Sequence, residues 1–210
     1  MVVPSGTTVR VRTKDCFGNQ IQKPEDELDG IDWDHTNPAT GPIFVEGAVP
    51  GGALKVSVDA IEFDNKSVSC TGENEGVCGD RFNAWSTQVC EIDGDELVWD
   101  ERLRIPLRPM IGVIGVAPEA IRSIAARRAA MAAIWTTRLS RQGLPLLPRL
   151  RRWGTFGCGD MHAVMGDGEI SSSGAEAAGW ATVTLHGDAR AEASRSADRE
   201  CDAFRGHRLG

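Results

Sequence analysis

At 210 residues the chain is long enough for one large domain or two small ones, and its 41% hydrophobic content is enough to build a core. A net charge of −7 argues against nucleic acid and anionic membrane as partners, because both attract basic surfaces. Twenty-four glycines and ten prolines favour many turns, so a mainly β fold of packed sheets, sandwich-like or jelly-roll-like with a small α+β portion, is expected.

Thr7–Thr13 alternates β-branched and polar residues and predicts a half-buried strand. Residues 15–20 follow as a turn, and 24–35 form an acidic loop. Turn chemistry at 37–42 leads into a strand at 43–46. Pro50-Gly51-Gly52 makes another turn, and 53–61 alternates cleanly with Leu54, Val56 and Val58 inward. A short Gly-rich connection between two strands predicts a hairpin. Residues 64–84 are polar and read as loop, and 91–107 holds short alternating runs. The apolar run 110–118, cut by two glycines, suits a buried strand or a close backbone approach. Residues 120–141 read as a basic amphipathic helix, 180–186 as a strand, and the tail from 187 as poorly ordered.

No basic stretch followed by an apolar run opens the chain, and no apolar run reaches bilayer length, so a soluble cytoplasmic protein is expected. Six cysteines without a C-x-x-C pair favour free thiols over a disulfide framework, with a Cys70–Cys78 or Cys78–Cys90 bridge left open.

The run from Gly159 to Glu169 sets an imidazole and three carboxylates among glycines. It reads as a metal or acid–base site on a tight loop, not a helix or core strand. His162 is the leading ligand candidate, with Asp160 and Asp167 beside it, since neutral imidazole and carboxylates together suit zinc. Glu169 in the run and Glu46 at a strand end are the candidate proton-transfer carboxylates, Glu46 being equally readable as an edge-strand charge. Asp15 is a further ligand candidate or a turn former. His35 reads as a solvated loop residue, and Cys16 as a buried structural thiol rather than a nucleophile.

Three blocks resemble the acetamidase/formamidase family: Thr13–Ile21; Asn37–Ala48 with Pro50-Gly51; and Pro109–Pro118 joined to Gly159–Glu169. The resemblance implies a β-sheet amidohydrolase splitting small linear amides such as formamide or acetamide into ammonia and acid. It further implies a bound divalent metal, zinc before calcium, and a homo-oligomer. Within the matching blocks Asn37, Gly41 and Gly166 are assigned to substrate. The chain departs from the pattern by beginning inside the first strand, by Gly52 where Asp is usual, and by its tail after 187.

The largest departure is 120–155, with eight arginines, no lysine and no acid, between two acidic stretches. This divides the chain into 1–119, 120–155, 156–186 and 187–210. The family carries a His-Gly-Gly-Asn-Met-Asp block where this chain reads Ala130–Thr136. Taking codons from the third base of each residue forces Gly across Met131/Ala132 and Asp across Trp135/Thr136, and permits the other four letters. The segment is therefore expected to be translated out of frame, with frame restored near Phe156, and the activity of this chain is in question. Against the hydrolase stand a non-catalytic binding or assembly module that keeps the β scaffold, and an unrelated sugar- or metal-binding sandwich.

Overall fold

The computed structural model describes residues 1–26, 28–116, 155–164 and 169–187, with backbone alone at 145–146 and 188. Most of 120–155, including the expected helix, lies outside the described residues, as do Gly166, Asp167 and the tail beyond 188. The strands in chain order are β1 (Val2–Val3), β2 (Thr7–Thr13), β3 (Thr40–Val45), β4 (Ala53–Phe63), β5 (Lys66–Thr71), β6 (Ser86–Asp93), β7 (Glu96–Val98), β8 (Arg104–Pro106), β9 (Met110–Val116), β10 (Pro145–Leu146), β11 (Thr155–Val164), β12 (Ala175–Ala177) and β13 (Gly179–Asp188). Helical structure among the described residues is limited to 3₁₀ turns at Leu28–Gly30, Trp33–His35 and Gly79–Arg81. No described helix is long and apolar enough to cross a membrane, and the described cysteines are free thiols.

Two sheets result. Nine strands form one, in the order β1-β3-β11-β12-β5-β6-β7-β8 with β9 paired to β11, and the other runs β10-β4-β13-β2. The alternation visible in the sequence sets which faces meet. Val9 and Val11 of β2, Leu54, Val56 and Val58 of β4, and Ala181, Val183 and Leu185 of β13 pack against Ile43, Val45, Ile114, Val116 and Phe156 of the larger sheet. Burying each large aliphatic side chain contributes about 1.5–3 kcal/mol before conformational entropy is counted.

The smaller sheet turns charge outward. Arg10 and Arg12 stand over the Trp180 ring at 4.4 and 5.6 Å. Arg10 pairs with Glu62 at 3.0 Å, and Arg12 makes two bonds to Asp64 at 2.8 and 2.5 Å. All four groups are well exposed, so each pair contributes no more than about 1 kcal/mol. The arginines are on β2, which ends this sheet among the described residues, and they reach over Trp180 of β13 to the end of β4.

Three expectations are corrected. The strands at 43–46 and 53–61 are not a hairpin: β3 pairs with β1 and β11, whereas β4 pairs with β13 and β10. The turn at 50–52 carries the chain from one sheet to the other, because alternation reports the buried face and not the partner. The polar stretch 64–84 contains β5, whose Ser67, Val68 and Cys70 are buried. Finally, Gly159–Val164 is no loop but part of β11, a core strand flanked by β9 on one side and by β3 and β12 on the other.

Candidate active site

β11 holds polar groups in a core strand by breaking its own alternation. Phe156 and Cys158 face the sandwich core, and so does Met161. The odd step falls at Asp160, whose φ of 52° is left-handed, a conformation Asp tolerates better than most residues. On the neighbouring strand, Ile114 and Val116 face that core together with Ile111, so the same reversal occurs at Gly112. Asp160 and His162 are thereby turned to the opposite face of the sheet, where Asp160 lines a cavity of about 330 Å³.

Glycines make the close approach feasible. A Cβ on Gly112 would lie 2.8 Å from His162 Nε2 and 2.6 Å from the Asp160 carbonyl oxygen. One on Gly174 would lie 2.5 Å from His162 Nδ1. Gly159 likewise has no room for a side chain beside Pro38, which brings the Asn37-Pro38-Ala39 loop against β11. The backbone N–H of Asn37 donates to the Cys16 carbonyl at 2.7 Å, and both residues line the cavity.

The site's centre is a pair that the strand register sets side by side: Glu176 of β12 lies opposite His162 of β11, with Val68 of β5 on its other side. His162 Nε2 is 3.2 Å from Glu176 Oε2, 3.7 Å from Asp160 Oδ1 and 3.7 Å from Glu169 Oε1. Glu176 Oε1 accepts the Gly174 N–H at 2.7 Å. Asp160, His162 and Glu176 are each at most 2% exposed, while the Glu169 side chain keeps 25% of its surface open. Burial pushes the Glu176 carboxyl up to about 8, helped by the charge of Glu169 and opposed by hydrogen bonds from Asp160 and Gly174. Burial, then the Glu176 charge, raises Asp160 well above the ordinary carboxylate range. Glu169 is raised by burial and pulled back by His162. The Cys16 thiol is held well up by burial and by the Glu176 and Asp160 charges.

Asp160 Oδ1, Glu176 Oε2 and both ring nitrogens of His162 are buried without a hydrogen-bond partner. An unpaired buried polar group costs about 1–3 kcal/mol, so several converging ones mark a place built for something else. Donor atoms of His162, Glu169 and Glu176 lie within 4.8 Å of one another, and so do those of Cys16, Asp160 and Glu176. Nitrogen, carboxylate and sulfur donors together fit zinc, whereas calcium takes six to eight oxygens. The residues fit a divalent cation.

Of the residues singled out in the sequence, Asp160, His162 and Glu169 come together here and Asn37 lines the same cavity. Asp15 is buried in the preceding turn, where its Oδ1 accepts the Asn19 N–H at 2.7 Å, and it belongs to neither donor group. Gly41 packs against the Phe156 carbonyl in β3. Glu46 is exposed and its N–H donates to Val3. Its strand neighbour Phe44 lies opposite Thr155, seven residues from His162 along β11, or roughly 23 Å at the usual strand rise. His35 is exposed and bonded to Asp32 at 2.7 Å. Glu176 was missed altogether, although a single carboxylate between alanines in Ala175-Glu176-Ala177 was a signal that could have found it.

The Gly174→Ala variant should therefore lose about 10- to 100-fold in metal affinity, because its Cβ displaces the imidazole, and should lose stability by about 1–3 kcal/mol. Gly94→Ala is the control: nothing lies within 4 Å of that position, so only the cost of its φ of 59° remains. Zinc content after dialysis, measured for both variants, checks this.

A family model described as the acetamidase/formamidase family matches residues 1–149. Among solved structures, the acetamidase from Bacillus halodurans is 36% identical with a TM-score of 0.84, over 88% of this chain and 63% of that one. A predicted acetamidase/formamidase from the thermophile Thermoanaerobacter tengcongensis is 41% identical with a TM-score of 0.84, over 88% of this chain and 62% of that one. A γ lactamase from Delftia acidovorans shares the fold alone, at 17% identity and a TM-score of 0.74. No curated protein matches. The chain spans less than two thirds of the length of these solved relatives. With the family model matching well over half the sequence and two solved relatives above 30% identity, this chain belongs to the acetamidase/formamidase family.

Proposed function

We propose that this chain is a metal-assisted hydrolase of linear carboxamides, converting R–CO–NH₂ and water into the carboxylate and ammonia. The observation that carries the reading is the convergence of unpartnered buried atoms of Asp160, His162 and Glu176, of which Asp160 and Glu176 line the cavity. The family membership supports it, since solved relatives are named acetamidases.

His162, Glu176 and Asp160 would hold the cation, zinc by their chemistry, with Glu169 beside them and free of it. When bound, such a cation supplies Lewis acidity at the amide oxygen and makes water a competent nucleophile near neutral pH. The Gly174 N–H fixes the orientation of Glu176, and the walls at Gly112 and Gly174 fix the imidazole plane. Glu169, the most open carboxylate of the group, moves the proton: it accepts from the attacking water and returns it to the departing amine. Burial raises its carboxyl above the ordinary glutamate value, the direction that suits a group acting first as base and then as acid. The Asn37 side chain at the cavity wall is available to orient the carboxamide.

Ammonia release from acetamide and formamide by the zinc-loaded chain should be abolished by chelation and restored by zinc. The Glu169→Gln variant should lower turnover by about 10²- to 10⁴-fold, the usual contribution of a general acid–base group. Undiminished hydrolysis after rigorous chelation would sink the metal-assisted reading, and absence of ammonia from the zinc-loaded chain would sink the hydrolase reading.

A further inference from the structure

The cavity is larger than the reaction at its polar end demands. Acetamide has four non-hydrogen atoms, about 120 Å³ if each takes the roughly 30 Å³ of a liquid water molecule. The cavity measures about 330 Å³, so well over half would be left over. The lining is mixed: hydroxyl, amide and carboxylate side chains share it with four large apolar ones. Those four are Phe17 and Leu28, both buried, and Trp33 and Trp85, both partly exposed.

Trp85 is set up as a platform. A Cβ on Gly72 would lie 2.5 Å from its Cε3 and 2.6 Å from its Cδ2, so the indole lies flat against the backbone of a residue with no side chain. Trp85 is 36% exposed and borders the cavity. Trp33 is 54% exposed and sits at the start of a 3₁₀ turn capped by the Asp32 side chain, whose Oδ1 accepts the Asp34 N–H at 3.0 Å. The Thr36 hydroxyl donates to the Trp33 carbonyl at 2.9 Å. Two partly exposed tryptophans therefore border one cavity, Trp85 with its ring seated on Gly72 and Trp33 on a capped turn. Rigid aromatic faces that need not be ordered on binding are efficient ligand contacts.

We propose that the substrate is a carboxamide whose R group is aromatic or a branched hydrocarbon, stacked on Trp85 and Trp33 while its CO–NH₂ end reaches Glu169 and Glu176. This rests on the hydrolase reading and specifies its substrate class. The reaction is unchanged: the C–N bond breaks, a C–O bond to water forms, and the water protons leave with ammonia and the carboxylic acid. What R adds is binding energy remote from the reacting carbon, which can be expressed as better positioning of that carbon.

The test compares phenylacetamide with acetamide as substrates of the zinc-loaded full chain, by kcat/KM from ammonia release. The expected result is a preference for phenylacetamide of about 10- to 100-fold, the range that burying such a group delivers. The Trp85→Ala variant should cut that ratio by at least about tenfold. Trp33→Ala, at a more exposed position, should cut it less, and it keeps the test alive if the first variant misfolds. Gly72→Ala, which drives the indole off its seat, should reduce the ratio without removing any aromatic surface. A ratio near one, or a ratio unmoved by all three substitutions, overturns the inference even if acetamide is hydrolysed well. If neither amide is hydrolysed, the hydrolase reading falls, and calorimetric titration of the same two amides decides this one. Tighter binding of phenylacetamide that is lost in Trp85→Ala supports an aryl subsite, and equal or undetectable binding of both overturns it.

Discussion

Replacing Glu176 with glutamine is expected to strip the site of its divalent cation and to lower amide turnover by at least about a hundredfold, while making the metal-free chain more stable near pH 8. The two effects have one origin. Glu176 is wholly buried, its carboxyl is raised to about 8, and one of its oxygens has no hydrogen-bond partner. Without a cation its ionised form is a charge that burial disfavours, and near pH 8 replacing it with a neutral amide removes that cost. With a cation, the same charge is an essential donor shared by both possible ligand groups. Glutamine keeps the shape and the acceptor for the Gly174 N–H but gives up the charge. Metal analysis, turnover and thermal midpoints of chelated samples measure the three consequences. The Glu46→Gln variant serves as the comparison, and its exposed carboxylate, far along the sheet, should change turnover less than about twofold. A variant at Glu176 that retains zinc and full activity would remove this residue from the site.

The second large effect is a reversal of pH dependence by metal. Between pH 4.5, the ordinary value for glutamate, and about 8, the folded chain keeps a proton on Glu176 that the unfolded chain has released. Protons bound preferentially by the native state make stability fall as pH rises, by up to about 1.4 kcal/mol per pH unit for one group. Asp160 and Glu169 are displaced in the same direction and add to the trend. The thermal midpoint of the chelated chain should therefore drop by roughly 10 °C from about pH 5 to about pH 8, at 2–4 °C per kcal/mol for a chain of this size. Cation binding needs these groups deprotonated, so the gain on adding zinc should be small at about pH 5 and large at about pH 8. A chelated midpoint that stays level or climbs across that interval would show that the buried carboxylates carry their charge at no cost.

Much of the sandwich was legible in the sequence because half-buried strands write their two faces into alternate residues. Residues 7–13, 53–61 and 180–186 are β2, most of β4 and the centre of β13, each with its apolar set turned inward. The continuous apolar run at 110–116 was equally clear, and both alternatives offered for it hold: β9 is a buried strand, and its Gly112 admits Asp160 and His162. The failures share one cause. β5 is buried on serine, cysteine and valine, and β11 is a core strand whose cavity face is polar, so neither has the hydrophobic contrast that marks a strand. Glycines that look like turn formers in β11 are there to admit neighbouring backbone. The same holds at the site. His162, Asp160 and Glu169 were visible because they are close in sequence. Glu176 was not, because its role arises from the pairing of β12 with β11 and from nothing local.

The arginine ladder on the smaller sheet has a bearing on self-association. Among the described residues β2 ends that sheet, and a terminal strand offers backbone donors and acceptors to any other chain that aligns with it. Arg10 and Arg12 place two bulky cations along that border, held in position by an indole and two carboxylates. An approaching identical strand would bring a second pair of arginines beside the first. The border is thus guarded against runaway polymerisation, and the guard is set by cationic side chains whose repulsion weakens as salt is added.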